Sequence, residues 1–383
     1  MESVDIAIVG GGIAGLSAAA ELAGAARVLV LEREDHPAYH ATGRSAAILA
    51  QNYGDRIIRA LTRWSVPALA GEDGAFLTPR GLLRVATRER RAHLERLYGE
   101  MAQDAPLRWL EADEVAERVP LLRPGWADCA FANDEAADID VAALVQDNLR
   151  RARAAGGALW TDAAVTGLVR HGGRWRIDCA DGRVLTAAAV VNAAGAWADA
   201  LAGCAGAAPL GLTPMRRTAV TFDAPDGTDL AALPMTVEAD ERFYFKPEGG
   251  GLMASPGDAT PDMPGDSRPE EIDVAICLDR VGQATGIEVR RPRATWSGLR
   301  TFAPDCAPVC GWDAQAPGFY WLAGQGGSGV QTSPALARLA ADDLLGREGA
   351  ARTEISGLAR AALEPARFRG AGAPHRTQQG GRT

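Results

Sequence analysis

Apolar positions along the chain fall into two patterns, short continuous runs and longer stretches with a recurrence of three to four residues. Ile6–Val9 and Val28–Leu31 are runs with the length of buried parallel strands, and Leu16–Ala23 between them is a block of strong helix formers. Residues 55–110 carry amphipathic helical patterns (RIIRALTRWSVPAL, RRAHLERLYGEMA), interrupted by a strand-like patch at Gly81–Ala86; residues 111–124 read as a short capped helix. Asp138–Ala155 has the 3.6-residue period and stops at Gly156-Gly157. Strands are expected around Ala163–Val169, Trp175–Cys179 and Val184–Val191, the last leading into Asn192-Ala193-Ala194-Gly195 and a helix. Between Pro214 and Trp296 the pattern becomes strands (RRTAVTF, MTVEADERFYFKP, GLMASP, IEVRRP) punctuated by Pro and Gly, with a helix near Glu270–Ala284. A final apolar strand, Phe319–Ala323, enters a glycine cluster, Gly324–Gly329, and a long helix. From about Ala366 the Gly-, Arg- and Gln-rich tail is expected to be disordered. The whole reads as an α/β protein with an antiparallel insertion.

Between the first strand and helix the spacing is G-x-G-x-x-G at Gly10, Gly12 and Gly15, and the second strand ends at Glu32. Each glycine has its own physical role. Gly10 allows the tight turn, Gly12 lets the backbone approach a pyrophosphate, and Gly15 lets helix and strand pack closely. Free N–H groups at the helix N-terminus favour phosphate, and Glu32 is placed for an adenosine ribose hydroxyl. An ordinary tight strand-to-helix turn is the plainer alternative; strand, glycines, helix, strand and acid in order favour dinucleotide binding.

Composition narrows the partners. At 383 residues, with 47% hydrophobic and 23% charged residues, the chain matches a soluble globular enzyme of two domains. A net charge of −9 argues against nucleic acid. Six cysteines lack CxxC or metal-type spacing, so neither disulfides nor a metal site is expected and a cytoplasmic setting follows, attachment to the periphery of an inner membrane staying open. Glu2 and Asp5 precede the first apolar run, unlike a signal peptide, and no run of about twenty apolar residues suggests a membrane span.

The fingerprint together with HATGRSAA at residues 40–47 resembles the flavin-dependent D-amino-acid oxidase superfamily, and more narrowly the bacterial D-arginine dehydrogenase type of D-amino-acid dehydrogenase, over about residues 4–350. The resemblance implies a discontinuous two-dinucleotide-binding, Rossmann-like FAD domain (1–84, 138–215 and 296–360) with an inserted α+β antiparallel-sheet substrate domain (85–137 and 216–295). It implies non-covalent FAD; Cys306 and Cys310 lie in the broad region of covalent attachment in relatives without a specific match. Cofactor contacts would come from Gly10, Gly12, Ile13, Ala14, Gly15, Glu32 and Arg33, and from the turn Thr42, Arg44, Ser45, Ala46 and Ala47. Val165 would meet the adenine, and Ala194, Gly195 and Trp197 form the second glycine-bearing turn. Gly298, Arg300, Gly326, Gly327, Ser328, Gly329, Val330, Gln331 and Thr332 would surround the flavin. From the residues alone, Gly43-Arg44-Ser45 reads equally as a solvent turn and Val165 as a core valine.

An amino-acid substrate needs its carboxylate held, which the planar fork of arginine does bidentately. The resemblance gives that role to Arg217 and Arg300, with Tyr244 as a third donor; taken singly they read as surface arginines and a strand tyrosine. It also implies that Gln331 and the Gly298 carbonyl hold the amine, that Tyr53 lies on a lid loop, and that Met235, Val237 and Val330 line the pocket. Two positions depart from the D-arginine dehydrogenase pattern: Ile48 replaces a histidine beside the amine, and Leu82 replaces a glutamate for the guanidinium. The expected activity is therefore oxidative deamination of a neutral, apolar D-amino acid to a 2-oxo acid and ammonia by hydride transfer from Cα to flavin N5. Glycine or secondary-amine oxidation, 2-hydroxy-acid dehydrogenation and a partner-dependent flavin-binding subunit are the alternatives. The electron acceptor, a quinone, an electron carrier or O2, is left open; Lys246, the single lysine, reads as a structural residue or as an oxygen-activating one.

Overall fold

The structure is a computed structural model that describes residues 2–71, 76–103, 105–347 and 360–369. The first strand β1 (Glu2–Val9), helix α1 (Ile13–Leu22) and strand β2 (Val28–Leu31) form the expected unit. β1 is central in an eight-stranded sheet, parallel to β2 on one side and to Val184–Asn192 on the other, which in turn pairs in parallel with Phe319–Ala323. The apolar runs are continuous because both faces of this sheet are covered. Ile6, Ile8, Val28 and Val30 pack on α1 and the helices Val141–Ala154 and Gly329–Leu344; Ala7, Val9, Leu29 and Leu31 face a second core around Trp175, Phe319 and Trp321.

A nine-stranded sheet forms the second half of the molecule. Thr213–Phe222 and Ala294–Phe302 pair antiparallel over their length, with Arg217 opposite Gly298 and Met215 opposite Arg300. The helix Glu271–Thr285 closes its core. The sheet is not wholly antiparallel: Met235–Glu238 runs parallel to Leu82–Ala86. The expected divisions at 84/85 and 215/216 fall inside strands of this sheet, Leu82–Ala86 and Thr213–Phe222. IEVRRP, expected as a strand, is an irregular link from the helix to Ala294; Pro292 has no N–H to give to a ladder. Ile48–Leu49, Leu77–Pro79 and Ala137–Ile139 make a small third sheet between the halves.

The expected tail disorder is corrected for residues 366–369. Pro365–Phe368 forms a 3-10 turn, Arg367 pairs with Asp305 at 2.7 Å and Arg369 with Asp313 at 2.9 Å; the rest of the tail lies outside the described residues. All six cysteines are free, and among the described residues no helix is long and apolar enough to cross a membrane.

Candidate active site

The glycine turn is built by close approach of backbone. Gly10 has φ +114°, and a Cβ there would sit 2.3 Å from the Ala193 carbonyl oxygen; a Cβ on Gly15 would sit 1.9 Å from that of Gly10. No side chain fits either place. Glu32, buried at the end of β2, accepts N–H bonds from Gly11 at 2.7 Å and Glu34 at 2.9 Å, which sets its carboxylate over the turn. Thr42 Oγ1 accepts the Ile13 N–H at 3.1 Å and ties the residue 38–45 loop to the start of α1.

These pieces wall a cavity of about 430 Å³, closed elsewhere by Ala163–Thr166, Ala193–Trp197, Gly298–Thr301 and Gly324–Gly327. Two helix N-termini reach it: Gly12, Ile13 and Ala14 of α1, and Gly329 and Val330 of Gly329–Leu344. Both turn their positive end toward negative charge, although at the first of them the Ile13 N–H is already taken by Thr42. The Arg33 guanidinium lies 4.3 Å over the Trp197 ring on the same wall, with Glu32, Thr42, Val165, Ala194 and Gly195.

At the glycine cluster this cavity meets a second constellation. Arg300 lies on the cavity wall, its Nη1 and Nη2 donating to the carbonyls of Ala41 at 3.1 Å and Arg44 at 2.8 Å. Arg217 donates through Nε to the Asp258 carbonyl at 2.6 Å. Tyr53, Tyr244, Arg217 and Arg300 lie within electrostatic reach of one another. Neither arginine forms an ion pair among the described residues, although burial pulls Arg300 below its ordinary value. The contrast with the neighbouring residue is direct: Arg216, on the opposite face of the same strand, pairs with Asp262, Glu270 and Asp273. Burial, with the charge of Glu241 adding to it, pushes the Tyr53 phenol up to about 12, so it keeps its proton; a Cβ on Gly327 would lie 3.2 Å from its hydroxyl. Leu82, Met235 and Val237 are buried with Ala50 and Ala136 in one apolar cluster, against which Ile48, Tyr53 and Tyr244 pack.

The structure thus brings Tyr53, Tyr244, Ile48, Leu82, Met235 and Val237 together, beside Arg217 and Arg300. Other residues singled out in the sequence stand elsewhere. Arg44 and Ser45 both reach the cavity wall, the Arg44 guanidinium being bound to Asp266 and to the carbonyls of Tyr39, Ser267 and Ser297. Ala46 and Ala47 line a separate cavity with Lys246, whose ammonium pairs with Asp138 at 2.8 Å and Glu248 at 3.0 Å. Ser328 and Thr332 bond back to carbonyls of their own turn, Gln331 Oε1 accepts the Ala50 N–H at 3.0 Å, and Gly15 packs beneath the turn; none of the four lies on the cavity wall. Asp258 and Glu241, which bear on Arg217 and Tyr53, were not singled out; they sit in irregular turns with no periodicity to mark them. His40 stood in the HATGRSAA motif, and its place on the cavity wall was legible there.

A Rossmann-like sheet with this glycine turn, sharing its cavity with a second sheet, defines a dinucleotide-binding protein. The chain belongs to the DAO family of FAD-dependent oxidoreductases, whose family model matches residues 5–343, and FAD is its cofactor. It is similar to glycine oxidase of Geobacillus kaustophilus, 28% identical over 88% of this chain and 92% of that one; the crystal structure of a glycine oxidase from the same organism superposes with a TM-score of 0.80 at 25% identity, over 91% of this chain and 96% of that one. Iminodiacetate oxidase from Chelativorans sp. matches with a TM-score of 0.75 at 25% identity, covering 90% and 96% of the two chains. L-2-hydroxyglutarate dehydrogenase of Salmonella houtenae is 28% identical over 54% of this chain and 50% of its own. These relatives place the chain in the superfamily without singling out its D-arginine dehydrogenases.

Proposed function

We propose that the protein oxidises the Cα–N bond of a D-amino acid with a neutral, apolar side chain, releasing a 2-oxo acid and ammonia. The observation that carries this reading is the pair of half-buried arginines, Arg217 and Arg300, which form no ion pair among the described residues and stand beside an apolar cluster. Two neighbouring half-buried cations repel unless an anion joins them, and a substrate carboxylate supplies that charge with matching fork geometry. FAD would lie in the cavity with its pyrophosphate at Gly10–Ala14, its ribose at Glu32, its adenine by Val165 and its flavin toward Gly298, Arg300 and Gly326–Val330; when bound it supplies the hydride acceptor. Ile48, Leu82, Met235, Val237 and Val330 would receive the substrate side chain and the Gly298 carbonyl would hold the amine, while Gln331, whose Oε1 accepts the Ala50 N–H off the cavity wall, would hold the chain at Ala50 in place. At Leu82 a cationic side chain would find no counter-charge, at a cost of several kcal/mol. Tyr53, protonated until about pH 12, serves as a hydrogen-bond donor and leaves the amine proton to water.

The test is anaerobic mixing of the yellow holoenzyme with D- and L-amino acids, glycine, N-methyl amino acids and 2-hydroxy acids while the flavin absorbance is followed. Fast bleaching by D-alanine, D-valine or D-leucine, with ammonia released, is expected; preference for D-arginine or D-lysine refutes the Leu82 argument. The named activities of the glycine and iminodiacetate oxidases favour a second reading, glycine or an N-substituted glycine, which the same panel separates. Bleaching by 2-hydroxy acids alone selects the dehydrogenase alternative, and none at all the partner-dependent one. Peroxide yield on reoxidation distinguishes O2 from a quinone or carrier as acceptor.

A further inference from the structure

We propose that the segment 256–270 orients both clamp arginines, with Asp258 and Asp266 as positioning residues; this rests on the reading of Arg217 and Arg300 as carboxylate binders. The segment leaves the strand Gly251–Ser255 and returns to the helix Glu271–Thr285. Along the way it is fastened at two places that bear on the site. At Asp258 the carboxylate accepts the Thr218 N–H at 2.7 Å and its hydroxyl at 2.9 Å, and this grip on the strand places the Asp258 carbonyl against Arg217 Nε. With Nε fixed, the two Nη groups, which have no hydrogen-bond partner among the described residues, are left as the fork.

At the other end Asp266 pairs with Arg44 Nη2, and the carbonyls of Ser267 and Ser297 accept from Arg44 Nη1 at 3.0 and 3.1 Å. Ser267 and Ser297 also share a hydroxyl contact at 2.8 Å. The main-chain oxygen of the same Arg44 holds Arg300 Nη2. Glycine at 298 permits this stack, since a Cβ there would lie 2.9 Å from Arg300 Nη1 and 3.2 Å from Arg44 Cβ. Asp266 therefore acts on Arg300 through the backbone of residue 44, as Asp258 acts on Arg217 through its own carbonyl. One surface segment sets the angle between the two forks.

The test uses the FAD-loaded enzyme, with benzoate and its uncharged counterpart benzamide as probes, binding being read from the perturbed flavin spectrum, and KM and kcat measured alongside. Asp258→Ala should weaken benzoate about tenfold and raise KM in parallel with kcat within about twofold, leaving benzamide unchanged. Asp258→Asn, whose Oδ1 still accepts the Thr218 N–H, should restore wild-type binding. Asp266→Ala, in which Arg44 keeps both serine carbonyls, should weaken benzoate about threefold and supplies the test if Asp258→Ala does not fold. Arg217→Ala separates the two levels of argument. If it weakens benzoate and the aspartate variants do not, positioning is refuted and the clamp survives; if it leaves benzoate unchanged, both fall. Equal weakening of benzoate and benzamide by the aspartate variants overturns positioning in favour of general loosening.

Discussion

The cofactor cavity and the proposed substrate site adjoin at Arg300 and Gly327, yet they are made from different material. The first is shaped by backbone: a turn too tight for any Cβ, two helix N-termini and one buried acid within the first βαβ unit. The second is shaped by side chains from separate segments, with Tyr53, Leu82, Arg217, Met235, Tyr244 and Arg300 meeting only once both sheets have formed. A backbone site fails all at once when its geometry is filled; a side-chain site can be retuned residue by residue.

The largest effect expected from breaking this contrast is at Gly15→Ala. With the Cβ 1.9 Å from a carbonyl oxygen, the turn must open, at a cost on the order of 3 kcal/mol, and the purified protein should lose its bound flavin, as its absorbance spectrum will show. Next is Arg217→Ala, off the cofactor cavity, which should raise the barrier measured by kcat/KM by about 2–5 kcal/mol for amino acids with little loss of bound FAD; concurrent loss of the flavin would erase the distinction between the regions. Leu82→Ala opens the apolar cluster and should destabilise the protein by about 2–3 kcal/mol in urea unfolding, while shifting preference toward longer apolar side chains. The smallest effect is at Tyr53. Its folded value is raised above the ordinary 10 to about 12, so the folded state keeps a proton that the unfolded chain has lost between those values. Its contribution to stability is complete below pH 10 and declines as pH rises toward 12, and Tyr53→Phe should flatten alkaline unfolding in that window. A Tyr53-dependent limb in the activity profile below about pH 9 would falsify its role as a permanently protonated donor.

The same difference explains what was legible in the sequence. Gly10, Gly12, Gly15 and Glu32 were readable because their roles are local, set by spacing along a strand, a turn and a helix. The apolar cluster was reached through resemblance, not periodicity: Leu82 and Met235 share a register across a parallel pairing that no local pattern announces. Asp258 and Glu241 left no signal at all. Arg44 was found for its place in a motif and reaches the cavity wall, yet its guanidinium is held by Asp266 and the carbonyls of Tyr39, Ser267 and Ser297, because the partners of a long side chain are decided by elements folded far away.

Arg216 and Arg217 occupy adjacent codons on opposite faces of one strand. Removing Arg216 leaves Asp262, Glu270 and Asp273 confronting one another without their cation, so its loss should appear in cells as reduced abundance of a chain whose surviving molecules still turn over. Removing Arg217 breaks no ion pair among the described residues, and its loss should appear as normal abundance with little turnover. In a mutational scan that scores growth alone the two would look alike; scored separately for amount and for activity, neighbouring positions would give opposite phenotypes.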